Sequence, residues 1–277
     1  MKNILSIDLE EWYHPEYVKD KVFEEKEERL KESLNITLSL LRARNVKATF
    51  FVVGELAEKY PEAIKCISEE GHEIGFHGYS HQTLWNLTLK DLKQEIKKFN
   101  SFINDKSIGF RAPSFSLDNR TKWALQVLED AGYKYDSSIF PTKTPLYGVK
   151  GALMKPYKPS HVNVALEDET RKIWEFPLLV YPLLGLRLPM AGGFYLRLLP
   201  NNILFKAIEK QNRKRFPAVI YLHTWELDLR TPKLKLGLYK SFVTYHNMEK
   251  TGARLKHLLS RFEFTSVRNY MEEEGLA

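Results

Sequence analysis

The sequence predicts an α/β protein built on a parallel sheet, open or closed into a barrel. Three observations carry that expectation. Short apolar, β-rich stretches alternate with segments of helical periodicity from Ile4 to Tyr135. Ionisable residues recur where successive strands should end. The 277-residue length suits one large domain, and a single α/β barrel of that size is ordinary.

Ile4-Leu5-Ser6-Ile7-Asp8-Leu9-Glu10 reads as a buried first strand that turns polar at its C-terminal end, with Asp8 and Glu10 on one face and Leu9 on the other. Glu11-Trp12-Tyr13-His14-Pro15 is loop. From Glu24 to Arg42, charged residues surround Leu30, Leu34, Leu38 and Leu41 at helical spacing. Lys47 to Val53 is a second strand. Pro61 starts a helix that Gly71 ends. Glu73 to Phe76 is the third strand, and Thr88 with Asp91 resembles a capping box opening a helix to about Phe102. Ser107 to Arg111 is the fourth strand. Thr121 to Ala131 is a helix stopped by Gly132, and Tyr133-Lys134-Tyr135 leads as a fifth strand into Asp136.

From Thr142 to Thr170 scattered Pro, Gly and polar residues break the rhythm, which predicts an insertion of irregular or antiparallel structure. Arg171–Phe176 and Leu186–Met190 read as strands, and Gly192-Gly193 as a tight turn. Asn201 to Asn212 is helical. Ala218 to Leu222 is a late apolar strand running into His223, a long helix spans Tyr239 to Ser260, and Phe262 to Phe264 forms a last strand.

Composition narrows the class. Hydrophobic residues make up 43% with 14 Gly and 13 Pro, which excludes a disordered chain. The single cysteine, Cys66, cannot form an internal disulfide and fits a reducing compartment. The N-terminal apolar run is too short for a signal peptide, and no stretch reaches the roughly 20 apolar residues of a membrane span. A cytoplasmic, soluble protein is the expectation. The net charge of +7 is spread over several Lys/Arg clusters without the signature of a nucleic-acid module.

The chemistry gathers at strand ends. His77 and His81, four residues apart, can face one point if the backbone between them coils through one turn, and a carboxylate brought from elsewhere would complete a metal site. Asp8 and Glu10, the histidine pair, Arg111, Asp136 and His223 all follow predicted strands, and in a parallel barrel those ends share one face. His72, His161, His246 and His257 have no motif around them.

In this arrangement the sequence resembles the polysaccharide deacetylase (NodB-homology, carbohydrate esterase family 4-like) family. The resemblance rests on Ser6-Ile7-Asp8-Leu9-Glu10, His77 to His81, Arg111-Ala112-Pro113-Ser114-Phe115 and Leu222-His223-Thr224, in the family's order. Ala191-Gly192-Gly193-Phe194-Tyr195-Leu196-Arg197 and His223-Thr224-Trp225-Glu226 look like the branch associated with exosortase and exopolysaccharide clusters, with a DUF3473-type C-terminal region. The resemblance implies a distorted (β/α) barrel of seven or eight parallel strands, one domain over 1–277 with 142–200 as insertion. It also implies metal-dependent hydrolysis of the N-acetyl amide of an amino sugar. The family's commoner adjacent aspartates are here spaced by Leu9, so Glu10 is the expected carboxylate ligand and Glu11 its rival.

The roles that follow are a divalent ion, Zn²⁺ first with Co²⁺ or another as alternatives, held by Glu10, His77 and His81. Asp8 is general base, His223 general acid, Arg111 the partner of Asp8, and Asp136 a partner of His223 or of another member of the set. Trp12, Tyr13, His14, Phe115, Tyr195 and Trp225 are the expected sugar contacts, and 142–200 the expected lid. The expected partner is an N-acetylated sugar or polysaccharide, no nucleic acid, and a lipid-linked precursor would bring the protein to a membrane periphery. An allantoinase-like amidase or a deformylase of the same fold, and a non-catalytic carbohydrate-binding barrel, are the competing readings.

Overall fold

The computed structural model describes residues 1–19, 26–103 and 107–276. Strand β1 (Asn3–Leu9) is buried along its whole length. Helix α1 (Leu30–Arg42) buries Leu30, Leu34, Leu38 and Leu41, as their spacing requires. It opens later than the sequence suggests. Residues 26–29 are non-helical, and Glu24 and Glu25 lie outside the described residues. The Glu11 carboxylate accepts the backbone N–H groups of Arg29 (3.0 Å) and Leu30 (2.9 Å), which fixes the first turn at that point.

The alternation continues through β2 (Thr49–Val52), α2 (Gly54–Lys59), α3 (Pro61–Glu69), β3 (Glu73–Phe76), α4 (Leu89–Asn100), β4 (Gly109–Phe110), α5 (Trp123–Asp130) and β5 (Tyr135–Asp136). Pro61 opens α3, and Thr88 with Asp91 forms the capping box of α4. Then come β6 (Trp174–Glu175), β7 (Val180–Leu183), β8 (Leu186–Pro189), α6 (Gly193–Leu198), α7 (Asn201–Arg213) and β9 (Val219–His223). The chain ends in α8 (Leu238–Tyr245), α9 (Thr251–Arg261), β10 (Phe264–Thr265) and α10 (Val267–Glu273). β7 and β8 form an antiparallel hairpin apart from the main sheet.

The single helix expected from Tyr239 to Ser260 is two. Asn247 takes a left-handed φ of 52°, and Arg197 donates to the carbonyls of Val243 (3.2 Å), Thr244 (3.1 Å) and His246 (2.9 Å), which ends α8.

The strands lie in the order β9-β1-β2-β3-β4-β5-β6, all parallel, while β10 pairs with Asn3 and Ile4 of β1. Between β6 and β9 the wall is completed by irregular chain: Leu178 N–H bonds Ile139 O and Leu179 N–H bonds Val219 O, both at 3.1 Å. The result is a distorted (β/α) barrel, curled and incompletely paired.

Inside it, Ser6 and Asp8 face Arg111, and alternation turns Leu5, Ile7 and Leu9 to the opposite face, where they join the apolar core. Two glycines make space for interior rings. A Cβ on Gly109 would fall 2.0 Å from Tyr135 Cζ, and one on Gly75 2.6 Å from Phe51 Cδ1. Because every strand of the barrel runs the same way, all C-terminal ends open on one rim.

Candidate active site

At that rim the ends of β1, β3, β4 and β9 bring together Asp8, Glu10, His77, His81, Arg111 and His223. Arg111 is fully buried and spends its guanidinium on fixed partners. Nη1 donates to Asp8 Oδ1 (2.7 Å) and Ser6 Oγ (2.9 Å), Nε to Ser137 O (2.8 Å), and Nη2 to Ser137 Oγ (2.9 Å). The group lies over the Phe51 ring at 4.2 Å. Asp8 is thereby held as an oriented carboxylate, with Oδ2 3.9 Å from His77 Nε2. Arg111→Met removes the guanidinium paired with a buried acid and is expected to cost roughly 3–5 kcal/mol of stability, measured by denaturant unfolding.

His77 and His81 are not joined by a helical turn. Gly78 (φ +72°) and His81 (φ +52°) adopt left-handed backbone, and this loop sets the two rings 5.2 Å apart, edge to face. His77 Nδ1 donates to the Arg111 carbonyl (2.8 Å), which leaves the lone pair on Nε2, facing the site. Burial, opposed by Asp8, lowers His77 to about 4, so the ring is neutral at pH 7. His81 Nε2 is buried 2.7 Å from Glu10 Oε2 yet meets no partner along a hydrogen-bond direction. An ionised carboxylate beside an unsatisfied imidazole nitrogen suits a divalent cation.

One ligand atom each from Glu10, His14 and His81 lies within 4.8 Å of the others. His14, expected at the sugar, therefore belongs to this cluster, with its ring stacked on His81 at 5.0 Å. Its Nδ1 accepts the Glu11 N–H (3.3 Å), so in the neutral ring the proton sits on Nε2. Burial and the neighbouring His81 hold His14 to about 3. The rival carboxylate Glu11 is turned away to the start of α1, and burial, countered by the backbone N–H groups it accepts, pushes it up to about 7.

Burial pushes the Glu10 carboxyl up, but His223 and His81 outweigh it and keep the group ionised well below the usual carboxylate range. Glu10 Oε1 is 3.3 Å from His223 Nε2. The other nitrogen of His223 lies 3.0 Å from Glu226 Oε2, which also accepts the His223 N–H (2.9 Å). Glu226 in turn pairs with the buried Arg197. Burial lowers His223, yet Glu10 and Glu226 together lift it to about 9. Burial likewise raises Glu226, but Arg197 and His223 bring it to about 2.

Sequence reasoning missed Glu226 and Arg197 as parts of the site. The His-x-x-Glu spacing after β9 was the available signal for Glu226, and the motif ending in Arg197 was the one available for Arg197, though it assigned that residue no role. Gly192-Gly193 is less a tight turn than a close approach: Gly192 (φ +98°) precedes α6, and a Cβ on Gly193 would lie 2.0 Å from a Glu226 carboxylate oxygen.

Asp136 does not meet His223. It accepts from Ser138 Oγ (2.5 Å), whose oxygen also takes the Ala112 N–H (2.7 Å), and it stands opposite Glu175 across the β5–β6 register. Burial raises both acids, Glu175 further through Asp136, and the pair supports the Arg111 segment from behind.

Phe115, Tyr195 and Trp225 line the cleft above the histidines, with Tyr147 and Phe194, so the 142–200 segment supplies part of its wall. Trp225 stacks on His223 (5.3 Å between centroids). Trp12 is instead buried with Val18, Trp225 and Met248, and Tyr13 packs at the edge of that cluster under Lys26. Neither lines the cleft, because the loop after β1 folds back toward the start of α1.

Residues 23–135 match the family model for Polysaccharide deacetylase, and residues 137–272 that for Domain of unknown function (DUF3473). Over 96 residues the chain is 41% identical to a peptidoglycan-N-acetylglucosamine deacetylase of Bacillus cereus, covering 32% of this chain and 34% of that protein. Over 115 residues it is 33% identical to a peptidoglycan deacetylase of Helicobacter pylori, covering 40% and 38%. It thus spans little more than a third of the length of these relatives. A crystal structure from Mycobacterium smegmatis, provisionally assigned as a polysaccharide deacetylase, shares the fold with a TM-score of 0.59 at 16% identity, over 98% of this chain and 88% of that one.

Proposed function

Since the chain belongs to the polysaccharide deacetylase family and carries a DUF3473 region, we propose that it hydrolyses the N-acetyl amide of an amino sugar in a polysaccharide or its lipid-linked precursor, releasing acetate. The observation that carries this reading is the juxtaposition of two differently prepared groups at one cleft: Asp8 gripped and aimed by Arg111, and His223 held protonated between Glu10 and Glu226. Glu10, His77 and His81 would hold a divalent cation, Zn²⁺ by the character of the donors, and such an ion makes water more acidic and polarises a carbonyl.

Asp8 Oδ2 takes the proton of the attacking water, and Arg111 keeps that carboxylate aimed. His223 Nε2 gives its proton to the departing amine nitrogen, which cannot leave as an anion. Glu226 fixes the His223 ring through Nδ1, as an acid of this kind needs. His14, with its proton on Nε2, acts as a donor rather than a ligand. Phe115, Tyr195 and Trp225 form the aromatic wall that the sugar would meet.

The test strips the protein with a chelator, restores it with Zn²⁺ or Co²⁺, and measures acetate from N-acetylglucosamine oligomers beside turnover of cyclic ureides and N-formyl sugars. Metal-dependent acetate release from the oligomers is the expected result. Turnover of the ureides alone would replace this reading with a small-molecule amidase.

A further inference from the structure

We propose that the strap over the cleft, residues 229–245, is a docking surface for an anionic lipid bilayer. It begins with a turn at 229–230 and continues as irregular chain to 237. Leu234 and Leu236 pack inward on the buried cluster of Trp12, Val18, Trp225 and Met248, so the alternate residues Lys233 and Lys235 are exposed. Helix α8 follows with its inner side committed. Val243 and Thr244 line the cleft, and Arg197 holds the carbonyls at its end.

Its outer side carries Leu238, 94% exposed, and Phe242 at 45%, which share a face at i, i+4, while Tyr239, 57% exposed, stands at the cleft rim against Tyr17. Lys240 is exposed beside them. From residue 229 to 248 the sequence contains no Asp or Glu, but has Arg230, Lys233, Lys235 and Lys240, in a chain of net charge +7.

Exposed leucine and aromatic side chains interleaved with lysine match the boundary between acyl chains and negative headgroups. A glycan would engage the aromatic rings and the lysines, but Leu238 gains only from an apolar phase. Docked in this way, the cleft mouth would face saccharide presented at the bilayer. The inference is independent of the cation chemistry, because none of Lys233, Lys235 or Leu238 touches the cleft.

The full chain is sedimented with vesicles of phosphatidylcholine alone and with vesicles enriched in phosphatidylglycerol. Co-sedimentation with the anionic vesicles, weakened by salt, is expected. Each lysine removed should weaken partition about fivefold, so Lys233→Ala with Lys235→Ala loses roughly 25-fold. Leu238→Asp should weaken binding independently of salt. Thermal unfolding of the variants, whose changed side chains are exposed, should match that of the parent. Three results would each overturn the proposal. One is equal binding by parent and variants, and another is a dimer lost in Leu238→Asp without vesicle binding. The third is retention on an acidic polysaccharide with no vesicle binding.

Discussion

His77→Ala is expected to yield a folded protein that no longer retains Zn²⁺ and releases acetate about 10³-fold more slowly, a loss of ~4 kcal/mol of transition-state stabilisation. The tautomer argument makes the expectation sharp. His77 spends Nδ1–H on the Arg111 carbonyl and so presents a lone pair, while His14 spends its lone pair on the Glu11 N–H and presents a proton. His14→Ala should therefore keep the metal and lose activity by a smaller factor. Elemental analysis of dialysed protein, alongside acetate release, checks both. If His14→Ala lost the ion while His77→Ala kept it, the cluster of Glu10, His14 and His81 would be the ligand set instead.

His223→Ala should bind Zn²⁺ normally and turn over roughly 10²–10⁴-fold more slowly, the usual range for removing a positioned acid. Its pH behaviour gives an independent check. A general acid works in its protonated form, present below its pKa, so activity should fall as pH rises through the His223 value. That value is about 9 with Glu10 and Glu226 both facing the ring, and lower once Glu10 shares its charge with a cation. Glu226→Gln removes one of the two anions that raise it, so the alkaline limb should move to lower pH. An alkaline limb unmoved by that change would mean that another group donates the proton.

The strand-end residues were legible because strand alternation and β/α connectivity are local signals with global consequences. Once Asp8, His77, Arg111 and His223 follow parallel strands, their meeting on one rim is forced. The capping box of α4 was legible for the same reason, since Thr88 and Asp91 satisfy it within four residues. Two kinds of residue escaped. Glu226 and Arg197 act through contacts that depend on how α6 lies against β9, and no periodicity reports that packing. Trp12 and Tyr13 read as sugar-stacking residues because aromatics beside a motif suggest it, but the choice between cleft and core depends on the path of the loop.

By itself, then, the sequence determined the alternating architecture and the face on which the ionisable residues would gather, while the ion pair of Asp8 with Arg111 was implied by the family resemblance. Tertiary structure alone decided that Glu10 rather than Glu11 joins the histidines, that His14 joins them too, and that Asp136 pairs with Glu175 behind the site. The reason is physical. Hydrophobic periodicity fixes which side of an element is buried, whereas the partner of a buried polar atom is set by distances between elements far apart in the chain.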